Sequence, residues 1–189
     1  MTASLAAYIS DKITVTDEEL NTILSYFRLI KLKKDEVLLS HGEASQRTFF
    51  VNKGCVRIFF INNEGQESTR YFAFENQFAT ALVSFITSDP SEELIQAVES
   101  SEVFYITHKN FFYLLETIPQ WGKFYRIYLE MAYVNNTNRL MSFLTQDATE
   151  RYRLLLAENP TVVRRLSNKM VASYLNMSQE TLSRLKSKL

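Results

Sequence analysis

The sequence predicts an α+β protein: an N-terminal antiparallel β-roll with flanking helices, one long helix, and a small all-α module at the end. Three observations carry this reading. Residues 28–106 break into short β-branched and aromatic segments separated by turn residues. Residues 119–144 read as one long helix entered through Pro119. Residues 168–189 hold two short amphipathic patterns that meet at a tight corner. A chain of 189 residues, 46% of them hydrophobic, has room for one medium domain and a small one.

Thr16-Asp17-Glu18-Glu19 has the form of a helix-capping box, and Leu20, Ile23, Leu24 and Phe27 follow at helical spacing. From Arg28 the period changes. The segments EVLLSHGE, RTFFVNKG, CVRIFFINNEGQES and TRYFAF are punctuated by His41-Gly42, Lys53-Gly54 and Asn63-Glu64-Gly65. Val56, Ile58 and Phe60 alternate with Arg57, Phe59 and Ile61, and residues 62–65 read as a hairpin loop. Ala79 to Thr87 fits one helical turn, and Asp89-Pro90-Ser91 a turn. A second strand group around 97–99 and 102–106 closes a sandwich or roll of about eight strands. Residues 107–118 then read as a short helix.

In the long helix Phe124, Ile127, Met131, Val134, Asn138 and Met141 step alternately by three and four, the spacing of a coiled-coil seam. A second stripe, Leu129, Ala132, Tyr133, Leu140 and Leu144, is placed against the roll. Two apolar stripes fit a helix that faces its own domain on one side and a second copy on the other. A single wide buried face in a monomer is the plainer reading of the same pattern. An Asn138 pair would fix register and parallel orientation. The polar stretch Thr145-Gln146-Asp147 precedes a fresh amphipathic segment, Arg151 to Ala157. The expected division is therefore 1–145, including the pairing helix 119–144, and 146–189.

Composition narrows the function. No apolar run approaches the ~18 residues of a membrane span, and the N-terminus lacks the basic start of a secretory signal. The one cysteine, Cys55, offers neither a disulfide nor a metal cluster, so the cytoplasm is the expected compartment. His41 and His108 stand far apart, and no nucleophile or phosphate-loop motif occurs. No catalytic residue, metal or cofactor is expected, and the protein is read as no enzyme.

The tail carries the chemistry. Val171, Ala172 and Leu175 share one helical face, and Leu182 with Leu185 face them from beyond Asn176-Met177. Asn tolerates the left-handed backbone that such a corner needs. Ser178 reads as the cap of the second helix. From residue 160 onward Arg164, Arg165, Lys169, Arg184, Lys186 and Lys188 stand against Glu180 alone; that segment carries +5 and residues 1–159 carry −5. Lys169, Ser178, Gln179, Glu180, Ser183, Arg184 and Lys186 are the expected contacts to double-stranded DNA, because such side chains reach phosphates and base edges. A helical hairpin with a solvated basic face is the plainer alternative.

The block HGEASQRTFFVNKGCVRIFF, the strand EVFYIT before a short helix, and the tail VASYLNMSQETLSRLKSKL together resemble the Crp/Fnr superfamily of bacterial transcription regulators. The likeness spans nearly the whole chain. It implies a cyclic-nucleotide-binding-like jelly roll, a dimerisation helix and a DNA-binding helix-turn-helix, here in a short form without a β-hairpin wing. It places Gln179, Glu180 and Arg184 where relatives touch bases. The implied function is a homodimeric transcription regulator on a near-palindromic operator. A ligand- or protein-binding sensor whose tail no longer touches DNA is the alternative.

Family members that bind cyclic nucleotides hold the phosphate with a Gly-Glu pair at a short helix and a later Arg. Here the corresponding stretches read Phe78-Ala79-Thr80-Ala81-Leu82 and Ser91-Glu92, and Val134 and Asn135 replace hydroxyl residues near the base. The resemblance therefore implies an unidentified small-molecule effector other than cyclic AMP. Phe78, Leu82, Ser91, Ile95, Ala97 and Asn135 are its candidate lining; filling the core is the equally weighted role for the apolar ones. Such a ligand would shift the angle at Thr145-Gln146-Asp147.

Overall fold

The computed structural model describes residues 2–188. A helix precedes the first one expected: α1 (Ala3–Lys12) buries Leu5 and Ile9, one turn apart. The sequence reading gave this stretch no structure, although Leu5, Ile9 and Ile13 recur every four residues. Helix α2 (Asp17–Ser25) begins on the capping box. The Glu19 N–H donates to the Thr16 hydroxyl at 3.2 Å, and the Thr16 N–H donates to the Glu19 carboxylate at 2.9 Å.

Eight strands follow: β1 (Arg28–Leu32), β2 (Val37–Leu39), β3 (Arg47–Lys53), β4 (Val56–Ile61), β5 (Glu67–Ala73), β6 (Phe78–Ala79), β7 (Leu94–Ala97) and β8 (Ser101–Thr107). They form two four-stranded sheets, ordered β1-β8-β3-β6 and β2-β7-β4-β5. Early and late strands interleave, so the antiparallel roll closes only when β7 and β8 return. In the second sheet Val56 pairs with Ala97 and Ile58 with Ile95, all four fully buried. The turn before β4 is specified sterically. Gly54 has φ +98°, and a Cβ there would sit 2.8 Å from Ser101 Cβ and 2.9 Å from its Cα.

Three helices flank the roll: α3 (Leu82–Thr87), α4 (His108–Thr117) and the 27-residue α5 (Pro119–Thr145). Thr107 caps α4 by accepting the Asn110 N–H at 3.3 Å. One face of the first sheet packs on the helices through an aromatic core. Phe78 lies edge-on to Phe50 and Phe124, and Trp121 stacks on Phe124 with ring centres 4.7 Å apart.

The chain divides into two compact units. One comprises residues 1–59 and 72–129; the other comprises 60–71 and 130–189. In the second, the last part of α5 is followed by α6 (Ala148–Glu158), α7 (Pro160–Arg165), α8 (Asn168–Leu175) and α9 (Gln179–Lys188). Its core is mostly aliphatic: Leu155, Val162, Leu166, Val171, Leu175 and Leu182, with Ala172 and Tyr152. Asp147 caps α6, accepting the N–H groups of Thr149 at 2.7 Å and Glu150 at 2.9 Å. Those two backbone bonds, Glu150's foremost, hold its carboxyl below the usual carboxylate range.

Helix α5 corrects the sequence reading at two points. Phe124 is buried in the core of its own unit and so is not open to a partner, whereas Ile127 is half-buried at the edge of that core. Most of the second stripe does not pack against the roll either, although Leu129 and Ala132 are half-buried. Tyr133, Leu140 and Leu144 are 73%, 58% and 71% exposed. The helix passes from a packed first third to an open remainder, and a continuous spacing pattern does not reveal that change of surroundings.

Candidate nucleic-acid interface

Helices α8 and α9 meet at Asn176, whose φ of +50° and ψ of +54° are left-handed. The corner is closed by the Met177 N–H donating to the Ala172 carbonyl at 3.0 Å. Ser178 then caps α9, accepting the Thr181 N–H at 3.1 Å. Val171, Ala172 and Leu175 of α8 and Leu182 of α9 are buried, which fixes which way α9 faces.

That burial leaves Gln179, Glu180, Ser183 and Arg184 exposed, with Ser178 at the helix start beside them. Arg184 and Glu180 pair one turn apart at 3.5 Å, their side chains 75% and 83% exposed. So solvated a pair stabilises little, and both groups are available to a ligand. Lys186 is half-buried, its ammonium 2.5 Å from Asn168 Oδ1. Lys169, on the first turn of α8, is exposed and lies 4.0 Å from the Glu67 carboxylate. The seven expected DNA contacts thus sit on two adjoining helices of one unit.

A cluster that the sequence reading missed holds the rear of α8. The Ser173 hydroxyl donates to the Glu67 carbonyl and accepts the Thr69 N–H, both at 2.9 Å. Arg139 of α5 donates from one Nη2 to the carbonyls of Thr69 and Tyr174, each at 2.7 Å. Its guanidinium lies 4.1 Å over the Tyr174 ring and 4.9 Å over Phe143. Burial lowers its pKa from the ordinary guanidinium value, with Tyr174 opposing. Arg151 of α6 donates to the Leu175 carbonyl at 3.2 Å. Two guanidiniums therefore cap the last carbonyls of α8, where the helix dipole favours cations.

The expected effector residues are scattered. Ile95 and Ala97 lie in β7 of the second sheet, whereas Phe78 belongs to the helix-side aromatic core against Phe50 and Phe124. Leu82 is half-buried at the start of α3, and Asn135 is exposed on α5. The Ser91 hydroxyl is bonded at 3.0 Å to the main chain of Glu93. A cleft of about 470 Å³ lined by Leu38, Leu39, Phe49 and residues 43–47 includes none of the six. Of the expected seam, Met131, Val134 and Met141 are about half exposed and Asn138 is exposed.

Among the described residues no cluster of His, Cys, Asp and Glu could hold a metal ion, and no helix is long and apolar enough to cross a membrane.

Residues 29–118 match the cyclic nucleotide-binding domain family. Over 104 residues the chain is 25% identical to the cAMP-activated global transcriptional regulator CRP of Salmonella typhimurium, covering 55% of this chain and 50% of that one. It thus spans about half the length of the curated relatives it matches. Among solved structures, the c-di-GMP responsive global regulator CLP of Xanthomonas campestris superposes with a TM-score of 0.73 at 17% identity, covering 92% of this chain and 91% of the other. FixK2 from Bradyrhizobium japonicum superposes at 0.75 and 17%, covering 86% and 84%. A putative regulator of the Crp/Fnr family from Eubacterium rectale gives 0.70 at 14%, covering 90% and 82%. At such identities the likeness speaks to fold.

Proposed function

We propose that this chain is a regulator of the Crp/Fnr kind that binds double-stranded DNA as a homodimer and regulates transcription; its match to the cyclic nucleotide-binding domain family and its fold support the reading. One observation carries the reading. Gln179, Glu180, Ser183 and Arg184 form an open polar row on a helix whose opposite side is fixed by the fully buried Leu182. Lys169, Arg164 and Arg165 add positive charge on the same unit. Phosphates supply affinity to such a surface, and the row on α9 supplies base discrimination.

The second copy joins along the open part of α5, through Met131, Val134, Asn138 and Met141. Two α9 helices then enter successive major grooves about one turn, ~34 Å, apart on a near-palindromic operator. The functional division is a sensing part within 1–145 and a DNA-reading part within 146–189, and the working compartment is the cytoplasm. Chemistry on a substrate is no part of this role.

The effector is a small molecule other than cyclic AMP. Between Arg70 and His108 the sequence holds no Lys, Arg or His, while Glu92 and Glu93 lie in that stretch. That stretch supplies a cyclic phosphate with carboxylates and no cation of its own. Calorimetric titration with cyclic AMP should give no saturable heat. Micromolar binding would overturn this point alone.

The decisive experiment is selection from a random duplex pool followed by a salt titration. An enriched inverted repeat, with log K falling steeply against log salt, is the expected result. Recovery of no repeat, with a flat salt response, favours a sensor whose tail has lost contact with DNA.

A further inference from the structure

Strand β5 is the outermost of its sheet, so along one side its main-chain groups face no further strand. Over 67–69 that side is occupied by side chains of the helical unit instead. Ser173 bonds Glu67 O and Thr69 N, and Arg139 bonds Thr69 O together with the end of α8. One strand edge is thereby satisfied from α8 and α5 at once.

We propose that this edge is a releasable dock, and that Arg139 and Ser173 are positioning residues that set the orientation in which α8 and α9 meet DNA. The dock is made mainly of side-chain bonds to main chain, with one further bond between the Thr69 and Ser173 hydroxyls at 2.9 Å, and water could replace each of them. The apolar core of the helical unit, Leu155, Val162, Val171, Leu175 and Leu182, is carried on α6–α9. The docked state also leaves Gln179, Glu180, Ser183 and Arg184 in solvent, so it presents the reading row and does not cover it. Simultaneous engagement of two half-sites requires each helix pair to be held at one angle. A non-specific duplex requires only positive charge.

The inference rests on the DNA-reading proposed above, and its test has one arm that needs no DNA. Hydrogen exchange on the full chain reads the Thr69 amide in Arg139→Ala. Arg139 bonds the Thr69 carbonyl and never that N–H. A unitary dock predicts that Thr69 exchange still rises tenfold or more, while amides of β3 and β8 keep their parent rates. Parent-like protection at Thr69 would show that the contacts act separately and would overturn the dock.

The second arm compares affinity for the selected inverted repeat with that for a scrambled duplex. In Ser173→Ala, which removes a single oxygen, and in Arg139→Lys, which keeps the charge but loses the planar fork, the ratio should fall about tenfold. Affinity for the scrambled duplex should stay at the parent value. An unchanged ratio in both variants would overturn the positioning role even where the exchange arm succeeds. If the parent itself enriches no repeat, the DNA reading fails and the exchange arm still decides the dock. Should Arg139→Ala fail to fold, Arg139→Lys carries the exchange arm with the same reading at Thr69.

Discussion

The two units hold themselves together by different means. Residues 1–59 and 72–129 bury Trp121, Phe49, Phe50, Phe85 and Phe104 almost completely, and Phe50, Phe85 and Trp121 meet Phe78 or Phe111 with ring centres 5.1–5.4 Å apart. The other unit has a smaller aliphatic core and leans on caps: Asp147 on α6, Ser167 on α8, Ser178 on α9, and two arginines on the end of α8. It also keeps apolar side chains of α5 in water. Aromatic burial gives the first unit a single rigid arrangement. Directional polar bonds give the second one an arrangement that solvent or a partner can trade against.

The sharpest way to break the contrast is Trp121→Ala. The side chain is fully buried, stacks on Phe124, and meets Phe111 and Phe27 edge-on. A loss of ~3–5 kcal/mol is expected, seen as an early denaturant transition of the roll. Next comes Val134→Asp with Met141→Asp, both on the open part of α5. Light scattering should then report a monomer, and affinity for paired half-sites should fall at least ~100-fold while the melting of the roll is unchanged.

Asn176 sharpens the comparison at smaller scale. Asn176→Val forces a β-branched residue into φ +50° and should cost about 1–2 kcal/mol. Asn176→Gly should be close to neutral, and thermal melts of the two variants check the difference. The smallest effect is on pH. Asp147 titrates below an ordinary carboxylate when folded, so its stabilising share is complete above about pH 4. It is lost as pH falls through the lowered folded value. Asp147→Ala should erase that acid limb in the α6–α9 melt and leave the roll's untouched.

Much of this was legible from local pattern, because caps, turns and strand alternation are short-range chemistry. The Thr16 box, strands β2 to β5 and β8, Pro119 at a helix start and the Asn176 corner are all set within a few residues, whereas Ala79, expected in a helical turn, lies in β6, and β7 ends at Ala97 where a strand was expected around 97–99. Helix α1 went unread because its signal is only Leu5, Ile9 and Ile13. On α5 the spacing was correct and the surroundings were not, since Phe124 and Met131 obey one period but only the first has a core to enter. Arg139 looked like any surface cation of a helix. Its partners Thr69 and Tyr174 lie 70 and 35 positions away, beyond any periodicity. The effector residues failed to converge for a similar reason. Phe78 sits in a strand buried on both sides, and the sequence does not say which side it faces.

The open run on α5 bears on handling the protein as well as on its pairing. Between Met131 and Leu144 six large apolar side chains are 43–73% exposed. If a second copy covers them, folding and assembly share one equilibrium, and heat resistance rises with protein concentration. Diluted samples would melt earlier than concentrated ones and adhere to surfaces, so a midpoint quoted without its concentration would be meaningless.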